Sequence, residues 1–242
     1  MRIVEAKWEE RNLGVTCAEI EVGKKDSTDS LESLLKERNE QYIVAKVHSG
    51  NVEALFALQE KGFRFIETMF ETEIGFATRP ETPSICKKMS EKVGYHIASK
   101  NEIDGVIELV RSGTIFSTDR IALDPTFSKA LAGRRYAYWI ADTMAKPGSQ
   151  MYITEYENKN VGFNVFMDKE AYYDGILGGL FPEYLDMGIG FANMHVAVNA
   201  AYDSGAKKMI SHVSSNNFQM MKLHLLYGMH IRRLNYCLVK HC

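Results

Sequence analysis

A turn that carries two closely spaced glycines constrains the fold of this 242-residue chain more than any other feature. The turn, PEYLDMGIG over residues 182–190, follows a strand-like run at 175–181 and precedes a stretch at 190–204 with helical spacing of apolar residues. Glycine lets the backbone approach a ligand closely, and the first turn of a helix has free N–H groups. Such a strand–turn–helix is suited to hold a pyrophosphate, although an ordinary tight turn uses the same glycines.

The residues around this turn predict a regular series of strands and helices. Strands are predicted at 95–98, 150–156, 161–167, 175–181, 208–213 and 230–239. Helices are predicted at 103–110, 134–144, 190–204 and 218–226. The order is β-α-α-β-β-β-α-β-α-β, with an antiparallel meander in its middle, and it indicates a mixed α/β layer.

The first third of the chain predicts a smaller unit of the same kind. Its strand-like stretches are 18–22, 42–48 and 63–74, and its helix-like stretches are 31–41 and 52–61. Few apolar residues and two prolines at 77–94 indicate a linker. We therefore predict an N-terminal small α/β domain over 1–77, a linker over 78–94 and a second domain over 95–242.

One interval occurs twice along the chain. Asn51 precedes a predicted helix and Gly62 ends it, and Asn217 and Gly228 repeat this arrangement with the same separation. A degenerate duplication explains the repeat, and so does a chance similarity of two helix–Gly–strand units. No second glycine pair precedes Asn51, so we expect no phosphate cradle in the N-terminal segment.

Composition excludes several classes of function. The formal net charge is -2 with no long basic run, which argues against nucleic-acid binding. No apolar run approaches the roughly 20 residues that span a bilayer. The four cysteines have no zinc-ligand spacing, and free thiols are typical of a reducing compartment. We expect a cytoplasmic protein with no metal, no nucleic acid and no membrane partner.

The combined motifs resemble those of the GNAT superfamily of N-acetyltransferases. The shared layout is a strand, the P-x-x-x-x-x-G-x-G turn, a helix, a strand ending near Asn217, and a helix–Gly–strand unit, and it covers residues 95–242. The resemblance implies a mixed α/β fold with α+β-like layers, a GNAT acyl-CoA N-acyltransferase fold preceded by a small partial GNAT-like α/β domain. Leu185 departs from the family, which usually has Gln or Arg there, and Asp186 adds a negative charge beside it.

A narrower similarity extends over the whole chain. Trp8-Glu9, the run ALFALQEKGF at 54–63, Thr118-Asp119-Arg120 and RYAYWI at 135–140 are similar to the dTDP-fucosamine acetyltransferases, which act on sugar nucleotides. The resemblance implies acetyl-CoA-dependent transfer of acetyl to a primary amine, here an amino sugar on a nucleotide carrier. An acyltransferase for a small metabolite, amino acid or peptide amine stays open, as do a non-catalytic CoA-binding module and a homodimer.

The resemblance also assigns site residues. For catalysis it implies that the backbone N–H of Leu180 stabilises the oxyanion and that His224, where the family usually has tyrosine, protonates the CoA thiolate, with Tyr227 as a fallback acid. The residues expected to bind acetyl-CoA are Leu180, Met187, Gly188, Ile189, Gly190, Phe191 and Asn217. The residues expected near the acceptor are Asp119, Arg120 and Tyr136. The sequence nominates no base for the amine.

Overall fold

Ten strands form one mixed sheet in the computed structural model, which describes all 242 residues. The strands are β1 (Arg2–Glu5), β2 (Cys17–Val22), β3 (Tyr42–His48), β4 (Arg64–Gly75), β5 (Val93–Ile97), β6 (Ser149–Tyr156), β7 (Lys159–Asp168), β8 (Tyr173–Leu180), β9 (Lys208–Ser214) and β10 (His230–His241). The helices are α1 (Trp8–Leu13), α2 (Thr28–Lys36), α3 (Val52–Glu60), α4 (Lys87–Ser90), α5 (Lys100–Arg111), α6 (Arg120–Leu123), α7 (Lys129–Met144), α8 (Gly190–Asp203) and α9 (Phe218–Leu226). The order of strands across the sheet is β1-β2-β3-β10-β4-β9-β8-β7-β6-β5.

Most predicted elements of the C-terminal segment (residues 95–242) occur where the periodicity put them. The helix α9 has the predicted bounds, and α8 ends one residue earlier than predicted. The predicted helix at 31–41 is wrong in its bounds, because Ser27 caps α2 and the helix ends at Lys36. The short elements β1, α1, α4 and α6 were not predicted. Elements of four to six residues are too short for a periodic pattern to indicate them.

The two halves of the chain exchange their last strands. The strand β10 lies between β3 and β4, and β4 lies between β10 and β9, with all three of these contacts antiparallel. Each half otherwise contributes one parallel pair, β2–β3 in one and β8–β9 in the other. The strands of residues 1–77 and 95–242 therefore share one sheet. The proposed division at the linker 78–94 stays a prediction.

The repeated Asn-to-Gly interval has the same geometry in both places. Asn51 caps α3 by accepting the N–H of Ala54, and Asn217 caps α9 by accepting the N–H of Met220, at 3.1 Å in each case. The glycines that follow, Gly62 and Gly228, have φ of +85° and +82°. Each helix lies between two strands at equivalent positions of the sheet. This equivalence favours duplication over chance similarity.

Helices cover both faces of the C-terminal part of the sheet. Along β6, Tyr152 packs on one side against α8, while Met151 and Ile153 pack on the other side against α5 and α7. Ten of the residues of α8 are buried, which explains its apolar, small-residue sequence. This packing fixes the beginning of α8 relative to the end of β8, where the glycine turn lies.

No helix of the protein is both long and apolar enough to cross a bilayer. All four cysteines are free, and three of them are buried. The cytoplasmic location and the homodimer stay predictions.

Candidate functional site

The strands β8 and β9 separate along their length and open a gap in the sheet. They pair only where residues 173–175 lie beside residues 209–211. Beyond Gly175, β8 continues to pair with β7 as far as Leu180, but its other edge has no strand partner. A cavity of about 540 Å³, here called the central cavity, lies at this gap. Its walls include Gly175, Gly178, Asn217 and His224, and also Glu67, Asp119, Arg120 and Tyr136.

The free edge of β8 directs backbone groups toward the gap. Phe181 donates its N–H to the carbonyl of Val161 at 2.9 Å. Because backbone groups alternate in an antiparallel pair, the N–H groups of Leu180 and Gly178 point away from β7. Gly178 lines the central cavity, whereas the side chain of Leu180 is buried against Val161 and Ile189. The geometry therefore offers two backbone donors, Leu180 and Gly178, of which only the first was predicted from sequence.

A buried amide pair holds α8 against the strands of the gap. Asn164 of β7 donates to the side-chain oxygen of Asn193 of α8 at 3.0 Å, and Asn193 donates to the carbonyl of Phe163 at 3.2 Å. A Cβ at Gly178 would lie 2.6 Å from the side-chain oxygen of Asn164, a distance that real Cβ atoms do not show. Only glycine fits at position 178 while this pair keeps its place.

The glycine turn leaves the beginning of α8 uncapped. No side chain caps the helix at Ile189, so the N–H groups of Gly190 and Phe191 have no side-chain acceptor. Gly188 has φ of +70°, the left-handed region that favours glycine, and a Cβ there would meet no atom within 4 Å. The side chain of Met187 is largely exposed. A helix N-terminus of this kind attracts anions through its free amides and its dipole, so the residues fit a pyrophosphate.

The structure brings the predicted pair Asn217 and His224 to the same cavity. The two lie seven residues apart in and before α9, about two turns, and so share a face. The Nδ1 atom of His224 lies 2.8 Å from the hydroxyl of Thr72, which comes from β4 of the N-terminal segment. Burial lowers the pKa of His224 from 6.5 to about 4. The ring is therefore neutral at neutral pH and carries one N–H.

Tyr227 lies outside the central cavity. It is buried, and its hydroxyl donates to the carbonyl of Phe191 at 3.3 Å. Burial also raises its pKa. This contact holds α9 against the first turn of α8, so the position of Tyr227 accords better with packing than with the role of fallback acid.

The three expected acceptor residues line the same cavity and lie close to one another. Asp119 caps α6 through the N–H of Ala122 at 2.9 Å and accepts the hydroxyl of Tyr136 at 2.8 Å. Arg120 is buried and donates to Glu19 at 2.9 Å. Burial alone would raise the pKa of Glu19, but Arg120 and Lys46 hold it at about 2. Arg120 is thus already paired with a carboxylate of its own chain.

The N-terminal segment contributes residues to the cavity that were not predicted from sequence. Glu67 of β4 lines the cavity, and Thr72 of the same strand contacts His224, which also lines it. Both residues are brought there because β4 is inserted beside β9. No local motif marks either residue, since the contact depends on strand order. No group of three or more His, Cys, Asp or Glu side chains is arranged to hold a metal ion.

Comparisons with known proteins support the fold. No family model matches this chain, and no curated protein matches it either. Among solved structures, a GCN5-related N-acetyltransferase from Sphaerobacter thermophilus superposes with a TM-score of 0.60 at 13% identity, covering 83% of this chain. This chain spans only 59% of that protein's length.

Two further structures have the same architecture. A GCN5-related N-acetyltransferase from Kribbella flavida matches with a TM-score of 0.55 at 12% identity, covering 93% of this chain and 81% of its own. A tandem GNAT protein from the clavulanic acid biosynthesis pathway matches with a TM-score of 0.50 at 11% identity, covering 88% and 67%. At such identities the likeness shows the fold alone. The predicted mixed α/β fold of the GNAT N-acetyltransferases is confirmed.

Proposed function

We propose that this protein is an acyl-CoA-dependent N-acyltransferase that transfers acetyl from acetyl-CoA to a primary amine. The observation that carries the proposal is the uncapped N-terminus of α8 beside the gap between β8 and β9. The first supplies free amides for a pyrophosphate, and the second supplies an unpaired strand edge that leads into the central cavity. The fold shared with GNAT N-acetyltransferases supports the same conclusion.

Each group at the gap has a distinct task in this proposal. Acetyl-CoA supplies an acyl group activated as a thioester. The amides of Gly188, Ile189, Gly190 and Phe191 lie along the turn that would hold its pyrophosphate, whereas Met187 donates its N–H to the carbonyl of Tyr184 at 3.3 Å. The N–H of Leu180 would stabilise negative charge on the carbonyl oxygen, and such a donor contributes about 3 kcal/mol to a transition state. The N–H of Gly178, about 7 Å away along the same strand edge, is left for another acceptor on the ligand. Asn217 is on the cavity wall, where its amide can bond the pantetheine.

The chemistry of His224 differs from that of the usual tyrosine acid. With its pKa near 4 the ring is neutral, and giving up its only N–H proton would leave an imidazolate, which is unfavourable. We therefore assign His224 the role of hydrogen-bond donor to the departing thiolate, as neutral imidazoles act elsewhere. The thiolate then takes its proton from the amine or from solvent.

The finer identity of the acceptor rests on sequence resemblance alone. An amino sugar on a nucleotide carrier is the acceptor that resemblance indicates, and Asp119, Arg120 and Tyr136 line the cavity end where it would bind. The contact between Arg120 and Glu19 supports binding of an amine there more than binding of a nucleotide phosphate. Mass spectrometry of products from a panel of amines, with and without a nucleotide carrier, distinguishes these acceptors.

A thermal-shift experiment tests the cradle directly. Acetyl-CoA at about a hundred times its dissociation constant should add about 2.7 kcal/mol to the free energy of unfolding. For a chain of this size that is a rise in Tm of roughly 5 to 10 °C. Gly188→Val should abolish the shift, because the branched side chain would fill the open space above the turn.

Gly205→Val is the matched control. Gly205 has φ of +83°, a Cβ added to it would meet no atom within 4 Å, and it lies at the opposite end of α8. Both variants carry the same backbone strain, but only Gly188 is at the cradle. The proposed function is refuted if Gly188→Val keeps the thermal shift. It is also refuted if acetyl-CoA gives the unaltered protein no shift and calorimetry detects no binding.

A further inference from the structure

Glu67 is a buried carboxylate at the wall of the central cavity. It lies on β4, at the point where that strand pairs with Cys237 of β10, and its side chain lines the cavity. Only 1% of Glu67 is exposed, and its Oε2 atom has no hydrogen-bond partner. A buried carboxylate oxygen without a donor is costly, so its retention at a cavity wall indicates a ligand that supplies one.

The charges around Glu67 leave it without a cation of its own. Arg135 pairs with Glu9 at 2.7 Å, and both Arg120 and Lys46 pair with Glu19, at 2.9 and 2.6 Å. Asp119 caps a helix and accepts the hydroxyl of Tyr136. This cluster thus holds four carboxylates, Glu9, Glu19, Glu67 and Asp119, against three cations, Lys46, Arg120 and Arg135. Its net charge of about -1 favours a positively charged ligand.

We propose that Glu67 binds the acceptor amine as an ammonium group and takes its proton before acyl transfer. The inference rests on the proposed acyltransferase function and adds the base that the sequence did not nominate. A proton passes from the ammonium nitrogen to Oε2 of Glu67 and later to solvent. The freed nitrogen lone pair forms the C–N bond, the C–S bond of the thioester breaks, and the second proton lost by nitrogen goes to the thiolate directly or through water.

The surroundings of Glu67 make its carboxylate a stronger base than that of an exposed glutamate. Burial raises the pKa of Glu67, while hydrogen bonding from Ser214 of β9 and the charge of Arg120 oppose the rise. Asp119 adds to the rise, and Lys46 of β3 opposes it. Cys237 of β10 is also buried beside it, and its thiol has a raised pKa and stays uncharged. A carboxylate with a raised pKa is a stronger base, and general bases are most effective when their pKa approaches the working pH.

In this proposal the N-terminal segment contributes residues to the acceptor site. It carries no glycine cradle of its own, yet β4 places Glu67 at the central cavity and Thr72 against His224, which lines that cavity. The acceptor end is therefore built from residues of both segments, with the C-terminal segment binding the acyl donor.

Glu67→Gln tests the role, and Glu71→Gln is the matched control. Glu71 lies on the same strand and is also largely buried; it forms ion pairs with Arg232 and His212, and its own side chain does not line the cavity. The probes are ethanolamine, putrescine and D-glucosamine, with aniline as an amine that is uncharged at neutral pH. Release of free thiol from acetyl-CoA measures the rate, and calorimetry measures acetyl-CoA binding.

At pH 7 we expect Glu67→Gln to lower kcat/KM for the cationic amines by about 100-fold or more, the range of general base catalysis. The loss should shrink toward about pH 10, where an aliphatic amine loses its own proton. Acetyl-CoA binding should change less than twofold, and Glu71→Gln should behave like the unaltered protein. A purely structural role for Glu67 would lower the rate equally at every pH.

Three results overturn the inference. The first is a Glu67→Gln variant with full activity at pH 7, and the second is an equal loss at all pH values. The third is an unaltered protein that acetylates aniline but none of the cationic amines. Absence of acetyl-CoA binding, or of turnover with any amine, in the unaltered protein refutes the proposed function itself, and the calorimetric measurement separates that case from the others.

Discussion

Replacement of His224 by phenylalanine is the most informative change at the gap. The substitution keeps an aromatic ring in a site that is 3% exposed but removes both ring nitrogens. If the N–H of His224 donates to the departing thiolate, kcat should fall by roughly 10- to 1,000-fold, as it does when one donor to a developing anion is lost. Acetyl-CoA binding should change little, because the bond strengthens only in the transition state.

The donor role of His224 requires a particular tautomer. The hydroxyl of Thr72 lies 2.8 Å from Nδ1 of His224 and 3.3 Å from the carbonyl of Ser211. When the hydroxyl donates to Nδ1, the proton of His224 is on Nε2, which is the state that the donor role needs. Thr72→Val should therefore lower kcat several-fold, because His224 loses the contact that keeps its proton on Nε2. Thr72→Ser keeps the hydroxyl and should not lower kcat.

Stability must be measured beside activity. In His224→Phe the loss of the hydrogen bond between His224 and Thr72 should lower the free energy of unfolding by about 1–3 kcal/mol. The lower end is expected because Thr72 keeps Ser211 as an acceptor. His224→Tyr restores the usual family donor and should preserve or raise turnover if the site accommodates the larger ring. Thiol release gives kcat, and denaturant unfolding gives the free energy of unfolding.

The neutral state of His224 has its own signature in acid. Because its pKa is lower in the folded protein than in the unfolded chain, the unfolded chain takes up the proton first as the pH falls below about 6.5. Stability should drop by up to about 3 kcal/mol between pH 6.5 and pH 4. The half-buried His195, whose pKa is also lowered by burial, acts in the same direction. His224→Phe should reduce this acid sensitivity.

Two results would refute the reasoning about His224. If His224→Phe folds normally and keeps full kcat, the donor role is wrong. If the Phe, Tyr and unaltered proteins have equal kcat, His224 is a packing residue and solvent protonates the thiolate.

Two further substitutions test the packing that positions the site. Gly178→Ala should destabilise the fold by about 1–3 kcal/mol and weaken acetyl-CoA binding, because its methyl group would displace Asn164. The control is Gly75→Ala, at a strand position with open space. Equal unfolding curves for the two variants would contradict the steric argument. Glu9→Ala should lower the free energy of unfolding by about 3 kcal/mol and Tm by about 6 to 12 °C in a thermal melt, because Arg135 is left buried without its partner. An unchanged Tm would show that the cavity solvates Arg135.

The local elements of the C-terminal segment could be predicted from sequence because each has its own signal. The bounds of α9 follow from Asn217 at its start and Gly228 after its end, and the N-terminus of α8 follows from the glycine turn. The meander β6–β8 follows from alternation and from turns at 157–158 and 169–172. These signals involve residues close together in the chain.

The part of the cavity wall that includes Glu67 and Arg120 could not be predicted in this way. Glu67 gave no signal, because its meaning depends on the insertion of β4 between β9 and β10. Arg120 was expected from resemblance to lie near the acceptor, but its partner Glu19 is about a hundred residues earlier and is brought near by the fold. The donor end of the site was therefore more predictable from sequence than the acceptor end.

The exchange of β4 and β10 has a consequence for how the chain folds. The strand β3 pairs with β2 on one side, but its other neighbour, β10, is about 190 residues later in the chain. On the ribosome, the facing edges of β3 and β4 stay open until the last twelve-residue strand has emerged. We expect slow closure of the sheet and a strong dependence of nascent-chain solubility on temperature and on chaperones, even where the finished protein is stable.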